Sequence, residues 1–307
     1  MYPRKMGTAW EIYAPAKLNL YLDVLGRRSD GFHELETLMA PIRLYDRLQW
    51  RPAPADGSGF VLSYDPSTSN SIRKAAPADD RNLVWRAANL LARTAGLEPR
   101  GQIVLTKRIP AQSGLGGGSS DAAATLLLTN AAWGLNYSTN RLAELAAQLG
   151  SDVPFFLAGT SAVCRGRGEQ VEPICVLPRL NVVVVVPPQG VSTVAAFQAL
   201  NSRPAGSAQR DESGRGVAHL LKDLARGAIA EAGRRMTNGL QRAAAKLCPW
   251  IDQLGMAFAG TGSHAHLLTG SGSAYYGVMR SAWHARRAAA ILSSANLGIV
   301  FTTSTCR

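Results

Sequence analysis

Residues Pro110-Ala-Gln-Ser-Gly-Leu-Gly-Gly-Gly-Ser-Ser120 decide how this chain is read. Glycines stand at 114, 116, 117 and 118. Glycine reaches positive φ without steric cost and lets backbone N–H groups come close to a ligand. The alternating stretch before the loop, Gln102 to Ile109, reads as a strand, and the apolar stretch after it, about Asp121 to Trp133, reads as a helix ended by Gly134. A glycine loop that opens a helix presents unpaired N–H groups at the positive end of the helix dipole. Such a junction cradles phosphate, and Ser119 and Ser120 can cap the helix or reach a phosphate or a magnesium ion. A flexible linker has a similar composition, but linkers are not usually wedged between a strand and an apolar helix. By itself the loop says that some phosphate binds.

The commoner nucleotide fingerprints do not fit. No Gly-Lys-Ser/Thr follows the loop, and counted from Gly114 the third glycine of a G-x-G-x-x-G pattern falls on Ser119. Gly260-Thr-Gly-Ser-His-Ala265 fits G-x-G-x-x-A, but no Asp or Glu follows Asp252, so the ribose-binding acid is missing. The His-Arg-Asp and Asp-Phe-Gly signatures of protein kinases are absent.

Outward from the loop, Trp10 to Leu25 is apolar and strand-like, interrupted at Pro15-Ala16-Lys17, and Arg28-Ser-Asp-Gly31 reads as a turn. Leu35 to Leu48 continues as extended chain, while 52–58 and 65–79 are rich in loop-forming residues. Helices are expected over Asn82 to Ala95, with Gly96 just past its end, and over Leu142 to Leu149. Strand character is expected from Phe155 onward and over Val182 to Val186, which stops at Pro187-Pro188. Residues 202–217 read as an exposed polar loop. Beyond it come helices near 218–232 and 238–247, strands at 265–268 and 274–278, a helix at 281–293 and a last strand at 298–303. Regular β-α alternation is lacking, so an α+β fold of two lobes fits better than a doubly wound sheet.

The 307 residues, 46% hydrophobic, suffice for one or two packed cores. No apolar run reaches the ~18 residues of a membrane span, and the first residues lead into no secretory h-region, which points to the cytoplasm. Cys164, Cys175, Cys248 and Cys306 are irregularly spaced, arguing against zinc or a disulfide framework. The net charge of +12 favours anionic partners and leaves open nucleic acid, a phosphorylated metabolite with a nucleotide, or a solvated basic surface. The basic residues fall in dispersed pairs (Arg27-Arg28, Arg234-Arg235, Arg286-Arg287), more like solvated surface than a nucleic-acid stripe. His264 and His266 could share a strand face as a metal pair, but two unrelated histidines are the favoured reading.

Three segments, in order, resemble the motifs of the GHMP small-molecule kinases: Pro15-Ala-Lys-Leu-Asn-Leu20, Pro110 to Ser120, and Leu268-Thr-Gly-Ser-Gly-Ser273. Arg28-Ser-Asp-Gly-Phe-His33, Gly150-Ser-Asp-Val-Pro-Phe-Phe156 and Val191-Ser-Thr193 are similar to the branch that phosphorylates a cytidine diphosphate-linked methylerythritol for non-mevalonate isoprenoid synthesis. The resemblance implies a two-lobed fold: an N-terminal β-α-β nucleotide-binding lobe over 1–165 and a C-terminal ferredoxin-like α/β lobe over 166–307. It also implies ATP as co-substrate and Mg2+, with no assigned metal ligands beyond Ser120 as a candidate. Asp152 matches the catalytic aspartate that accepts or orients the acceptor's hydroxyl proton, and Lys17 the catalytic lysine. Pro110, Ala111, Gln112, Ser113, Gly114, Leu115, Gly116, Gly117, Gly118, Ser119 and Ser120 would hold ATP, with Asn82 to Trp85 near the adenine and Gly270 to Ser273 supporting phosphates or substrate. Asn19, Phe32, His33, Thr193 and Phe197 would bind the cytidyl substrate by stacking and edge hydrogen bonds. Phe32 stands where the family usually has tyrosine, the segment from Thr193 to Phe197 is shorter, and Asn238-Gly-Leu-Gln241 lacks the usual acids. Another GHMP kinase acting on homoserine or a mevalonate-like alcohol, and a non-catalytic basic nucleic-acid binder, are the competing readings.

Overall fold

The computed structural model describes residues 1–53, 59–174, 177–200 and 216–306. Cys175, most of 52–58 and all but the last two positions of the expected 202–217 loop lie outside them. Two compact units form, each from discontinuous segments: residues 1–16, 44–111 and 116–159, and residues 17–43, 112–115 and 160–307.

The first unit contains β1 (Arg4–Met6), the start of β2 (Ala9–Arg27), the end of β3 (His33–Arg51), β4 (Phe60–Tyr64), α1 (Asn70–Ala75), α2 (Leu83–Thr94), β5 (Gly101–Thr106), α3 (Gly117–Ala132), α4 (Thr139–Leu149) and α5 (Val153–Ala158). Its strands run in the order β1-β2-β3-β5-β4. The helical stretch from β4 to β5 is a crossover, because those two strands pair in parallel, Phe60 opposite Gly101 through Tyr64 opposite Leu105. The core gathers Ile12, Leu48, Ile103, Leu105, Val84, Ala124 and Leu128.

Local chemistry sets these boundaries. Asn82 caps α2, its side chain accepting from Val84 N at 3.0 Å, and Gly96 takes φ +67° just past the end. β2 runs unbroken through Pro15-Ala16-Lys17, where the sequence expectation is an interruption, and three further elements differ from that expectation. Within the loop-rich 65–79 stretch, Ser69 caps a short helix, α1. Phe155 belongs to α5 and not to a strand: Pro154 suits the first helical turn, Gly159 ends it at φ +70°, and the strand starts only at Ala162. α3 begins at Gly117, four residues early, on two glycines that propensity disfavours; Gly117 is buried against Ile109, so packing sets that start.

The second unit holds the rest of β2 and β3, then β6 (Ala162–Gly166), β7 (Gln170–Pro173), β8 (Asn181–Val186), α6 (Thr193–Leu200), α7 (Val217–Ala225), α8 (Ile229–Arg235), β9 (Thr237–Asn238), α9 (Gln241–Leu247), α10 (Trp250–Ala259), β10 (Ala265–Leu268), β11 (Tyr275–Met279), α11 (Ala282–Ser294) and β12 (Ile299–Ser304). The α10 helix is not legible in the sequence. β3 pairs with β6, Leu35 opposite Gly166, and β9 lies parallel to β2, Tyr21 opposite Thr237. A separate antiparallel sheet runs β10-β11-β8-β12, which is the order of a ferredoxin-like βαββαβ unit. Its central strand carries the valine run, and Val183 and Val185 pack with Leu254, Phe258, Ala285 and Leu292. The α+β class and the ferredoxin-like second lobe are both present.

Candidate active site

β2 is buried without a break from Ala14 to Leu22, yet carries Lys17 at 3% exposure and Asn19 at 2% there. Residues two apart share a strand face. Lys17 Nζ donates to Asn19 Oδ1 at 2.6 Å. Asn19 Nδ2 donates to Thr37 Oγ1 at 2.8 Å, and that hydroxyl donates in turn to the Tyr21 carbonyl at 2.6 Å. Thr269 Oγ1 accepts from Asn19 N at 3.1 Å and lies 3.3 Å from Asn19 Oδ1. Tyr276 OH donates to the Asn19 carbonyl at 2.9 Å, and burial raises the Tyr276 pKa, so it stays a donor. A buried lysine is tolerated only with such partners.

The first half of the glycine loop joins this network. Leu115 O accepts from Lys17 N at 2.9 Å, and Ser113 O accepts from Ala274 N at 2.9 Å. Gly114, at φ +79°, lies so close to the third motif that a Cβ there would sit 2.2 Å from Thr269 O. Only glycine fits both that φ and that approach. Gly270, at φ +57°, is less tightly confined: a Cβ would meet Gly114 O and Lys17 Nζ, each at 3.1 Å. Asn238, where the usual acids are missing after it, donates from Nδ2 to Leu268 O and Gly270 O, both at 2.9 Å. It therefore braces the third motif. Parts of all three motifs, from Lys17 onward in the first, Gln112 to Leu115 in the second and the whole of the third, lie within the second unit.

In the same unit, the His33 and Phe197 rings stack with centroids 4.9 Å apart and an interplanar angle of 24°. Phe32 is half exposed, with the Arg167 guanidinium 4.7 Å from its ring centroid. Thr193 Oγ1 and Ser271 Oγ are 2.8 Å apart, which ties the start of α6 to the third motif. The structure thus groups His33 with Phe197 and Thr193 with Ser271, and it gives Asn19 to Lys17.

The second half of the loop belongs to the first unit. Gly116 is the N-cap of α3 at φ +72°, and no side chain caps that end. The first N–H groups are left for a ligand. Gly118 is exposed and a Cβ there would meet only Leu83, at an ordinary 3.6 Å, so packing does not require this glycine. Ser120 Oγ and Asp121 Oδ1 are buried with no hydrogen-bond partner. Asp152 sits at the N-cap of α5, half-buried, and makes no capping hydrogen bond with its side chain. The turn that presents it closes from Val153 N to Gly150 O at 3.2 Å.

Sequence reading missed Thr37 and Tyr276, and quoted Thr269 within the third motif without a role, because nothing local names a partner so distant in the chain. It also missed Asp46 and Lys107, which join Asp121 in a buried cluster. His266 Nδ1 lies 3.1 Å from Tyr275 OH and its ring stacks on Phe258; among the described residues no group of three or more His, Cys, Asp or Glu is placed to hold a metal. The Gly260 to Ala265 segment joins a helix to a strand, the reverse of a dinucleotide fingerprint. No helix among the described residues is long and apolar enough to cross a membrane.

Two family models match the chain: the GHMP kinases N-terminal domain over residues 82–160 and the GHMP kinases C-terminal domain over 220–297. A 4-diphosphocytidyl-2-C-methyl-D-erythritol kinase of Pelotomaculum thermopropionicum is 38% identical over 277 residues, covering 90% of this chain and 91% of that protein. A crystal structure of a 4-(cytidine 5'-diphospho)-2C-methyl-D-erythritol kinase is 37% identical, with a TM-score of 0.78 over 97% of this chain and 99% of that one. A homoserine kinase of Cytophaga hutchinsonii has a TM-score of 0.77 at 22% identity, covering 99% of this chain and 97% of that one; this shows the fold alone.

Proposed function

We propose that this chain, which belongs to the GHMP kinases and among them to the 4-diphosphocytidyl-2-C-methyl-D-erythritol kinases, transfers the γ-phosphoryl group of ATP to the 2-hydroxyl of 4-diphosphocytidyl-2-C-methyl-D-erythritol. The step belongs to non-mevalonate isoprenoid precursor synthesis. The observation that carries this reading is the meeting of Lys17, the Gln112 to Leu115 segment and the Thr269 to Ser273 turn around Asn19. Such convergence has no use in a structural protein, where a buried ammonium is a cost. The two family matches also fall one in each of the proposed lobes, 1–165 and 166–307. A cytoplasmic site fits the requirement for ATP.

In this reading the acceptor's hydroxyl oxygen attacks the γ-phosphorus, the bond from that phosphorus to the β–γ bridging oxygen breaks, and ADP leaves. Asp152 takes the hydroxyl proton. The Lys17 ammonium, oriented by Asn19, stabilises charge on the transferring group. Residues Pro110 to Ser120 hold the polyphosphate, chiefly through the free N–H groups at the start of α3. Magnesium held mainly by the nucleotide needs few protein ligands and neutralises phosphate charge; the unpartnered Ser120 hydroxyl fits that demand. His33 and Phe197 supply a hydrogen-bonding edge and ring faces for cytosine, with Phe32 and Thr193 alongside.

The test is ATP consumption against a panel of 4-diphosphocytidyl-2-C-methyl-D-erythritol, homoserine and mevalonate. Turnover confined to the cytidyl alcohol is expected. Preferential turnover of either other alcohol defeats the substrate assignment, and ATP-independent, salt-sensitive binding to DNA or RNA with no turnover defeats the kinase reading.

A further inference from the structure

Beneath the start of α3, wholly within the first unit, lies a buried charge cluster that the proposed chemistry does not use. Asp46 on β3 is 0% exposed, Lys107 just beyond β5 is 5% exposed and Asp121 on α3 is 2% exposed. Lys107 Nζ donates to Asp46 Oδ2 and lies 3.0 Å from Asp121 Oδ2. The other oxygen of Asp46 accepts from Arg108 N at 2.5 Å and from Ile109 N at 2.8 Å. Asp46 therefore fixes the corner where β5 turns into the glycine loop. Lys107 then ties that corner to Asp121, one turn into α3. The tie is close: a Cβ on Gly117, the first helical residue, would lie 2.8 Å from Lys107 Nζ.

An isolated buried ion cluster is weak evidence for stability, since removing charges from water costs about what their attraction returns. Its position suggests another use. The ammonium sits under the turn whose end no side chain caps, but two carboxylates surround it, so the cluster adds no net positive charge there and acts by holding the turn in place. Burial lowers the Lys107 pKa, but Asp121 and Asp46 outweigh that and raise it overall, so the cation persists, while burial pushes the Asp121 carboxyl well above the usual carboxylate range. The adjoining Ser120 hydroxyl and Asp121 Oδ1 are buried and unpartnered, so this turn holds polar groups that its own fold does not satisfy.

We infer that Lys107, clamped by Asp46, is a positioning residue for phosphate binding: it fixes the first turn of α3 and aims its N–H groups at the nucleotide's polyphosphate. This rests on ATP being the co-substrate. Lys107→Met alone strands two buried carboxylates and is expected to lower stability. The decisive variant is therefore the neutral triple Asp46→Asn, Lys107→Met, Asp121→Asn, in which the side-chain amide introduced on β3 can still accept from the two backbone N–H groups. Calorimetric titration of the full chain with ATP and, separately, with adenosine reads the effect. Loosening the turn misaligns its N–H groups and should weaken ATP binding by about 10- to 100-fold while leaving adenosine within about twofold. Equal losses for both ligands, no loss for either, or failure of the triple variant to fold would each overturn the inference. A wild-type chain that binds no ATP would defeat the kinase reading itself, and is told apart because the variants are then not needed.

Discussion

Replacing Asn19 with alanine probes the centre of the site. The side chain is 2% exposed, and its amide accepts from Lys17 and donates to Thr37. Losing an acceptor for a buried ammonium costs about 1.5 to 3 kcal/mol, and losing the neutral hydrogen bond to Thr37 about 1 kcal/mol more. Thr37 keeps its bond to the Tyr21 carbonyl, so that hydroxyl is not orphaned. The sum, about 2.5 to 4 kcal/mol, corresponds to a fall in Tm of about 4 to 6 °C for a chain of 307 residues at about 2.1 cal/mol/K of unfolding entropy per residue. Activity should fall further than stability explains. An ammonium that is no longer held in one place misplaces the charge that must meet the transition state, and kcat should drop about 100-fold at a temperature where the variant is folded. Thr37→Val is the control: it leaves the Lys17 to Asn19 bond in place, so its kcat should stay within about threefold while Tm falls by a few degrees. Scanning calorimetry and steady-state kinetics on the two variants decide it. An Asn19→Ala protein whose Tm lies within about 2 °C of the parent, with kcat unchanged, would refute the idea that Asn19 holds Lys17.

Asp152→Asn should lower kcat by about 100- to 10,000-fold while the Kd for ATP, measured by titration, stays within about twofold. Phe197→Leu removes a ring that stacks on His33 and should raise KM for the cytidyl acceptor about tenfold without moving KM for ATP. Asp223 is held below the usual carboxylate range chiefly by the Arg235 guanidinium, with Arg226 adding to it. A depressed pKa stabilises the fold above the unfolded value of about 4 and loses that contribution as pH falls through the lower folded value. Urea midpoints measured from pH 6 to pH 3 should therefore converge between the parent and Asp223→Asn at the acid end, and parallel curves throughout would contradict the pairing.

Much of the site could be read from the chain because it depends on local chemistry. The glycines at 114 and 116 announce positive φ, and both adopt it. Asn82 announces a cap, and the run Val182 to Val186 announces a buried strand. Elsewhere local signals misled. Phe155-Phe156 looks like strand, but Pro154 and Gly159 bracket a single helical turn and a half, and both rings are buried there. The early start of α3 on two glycines contradicts propensity, because contact with Ile109 and Lys107 overrides it.

The sequence by itself determined the glycine loop between a strand and a helix and, by resemblance, the kinase family with its ferredoxin-like second lobe. Tertiary structure alone decided which polar groups serve one another. Thr269 meets Asn19 across a separation of 250 residues, and Lys107 meets Asp46 across 61. Such pairs leave no periodic or compositional trace, because the residues around each member carry no mark of a partner so far along the chain. What makes them partners is the rule that a buried polar group must find one, and the chain must fold before that partner exists.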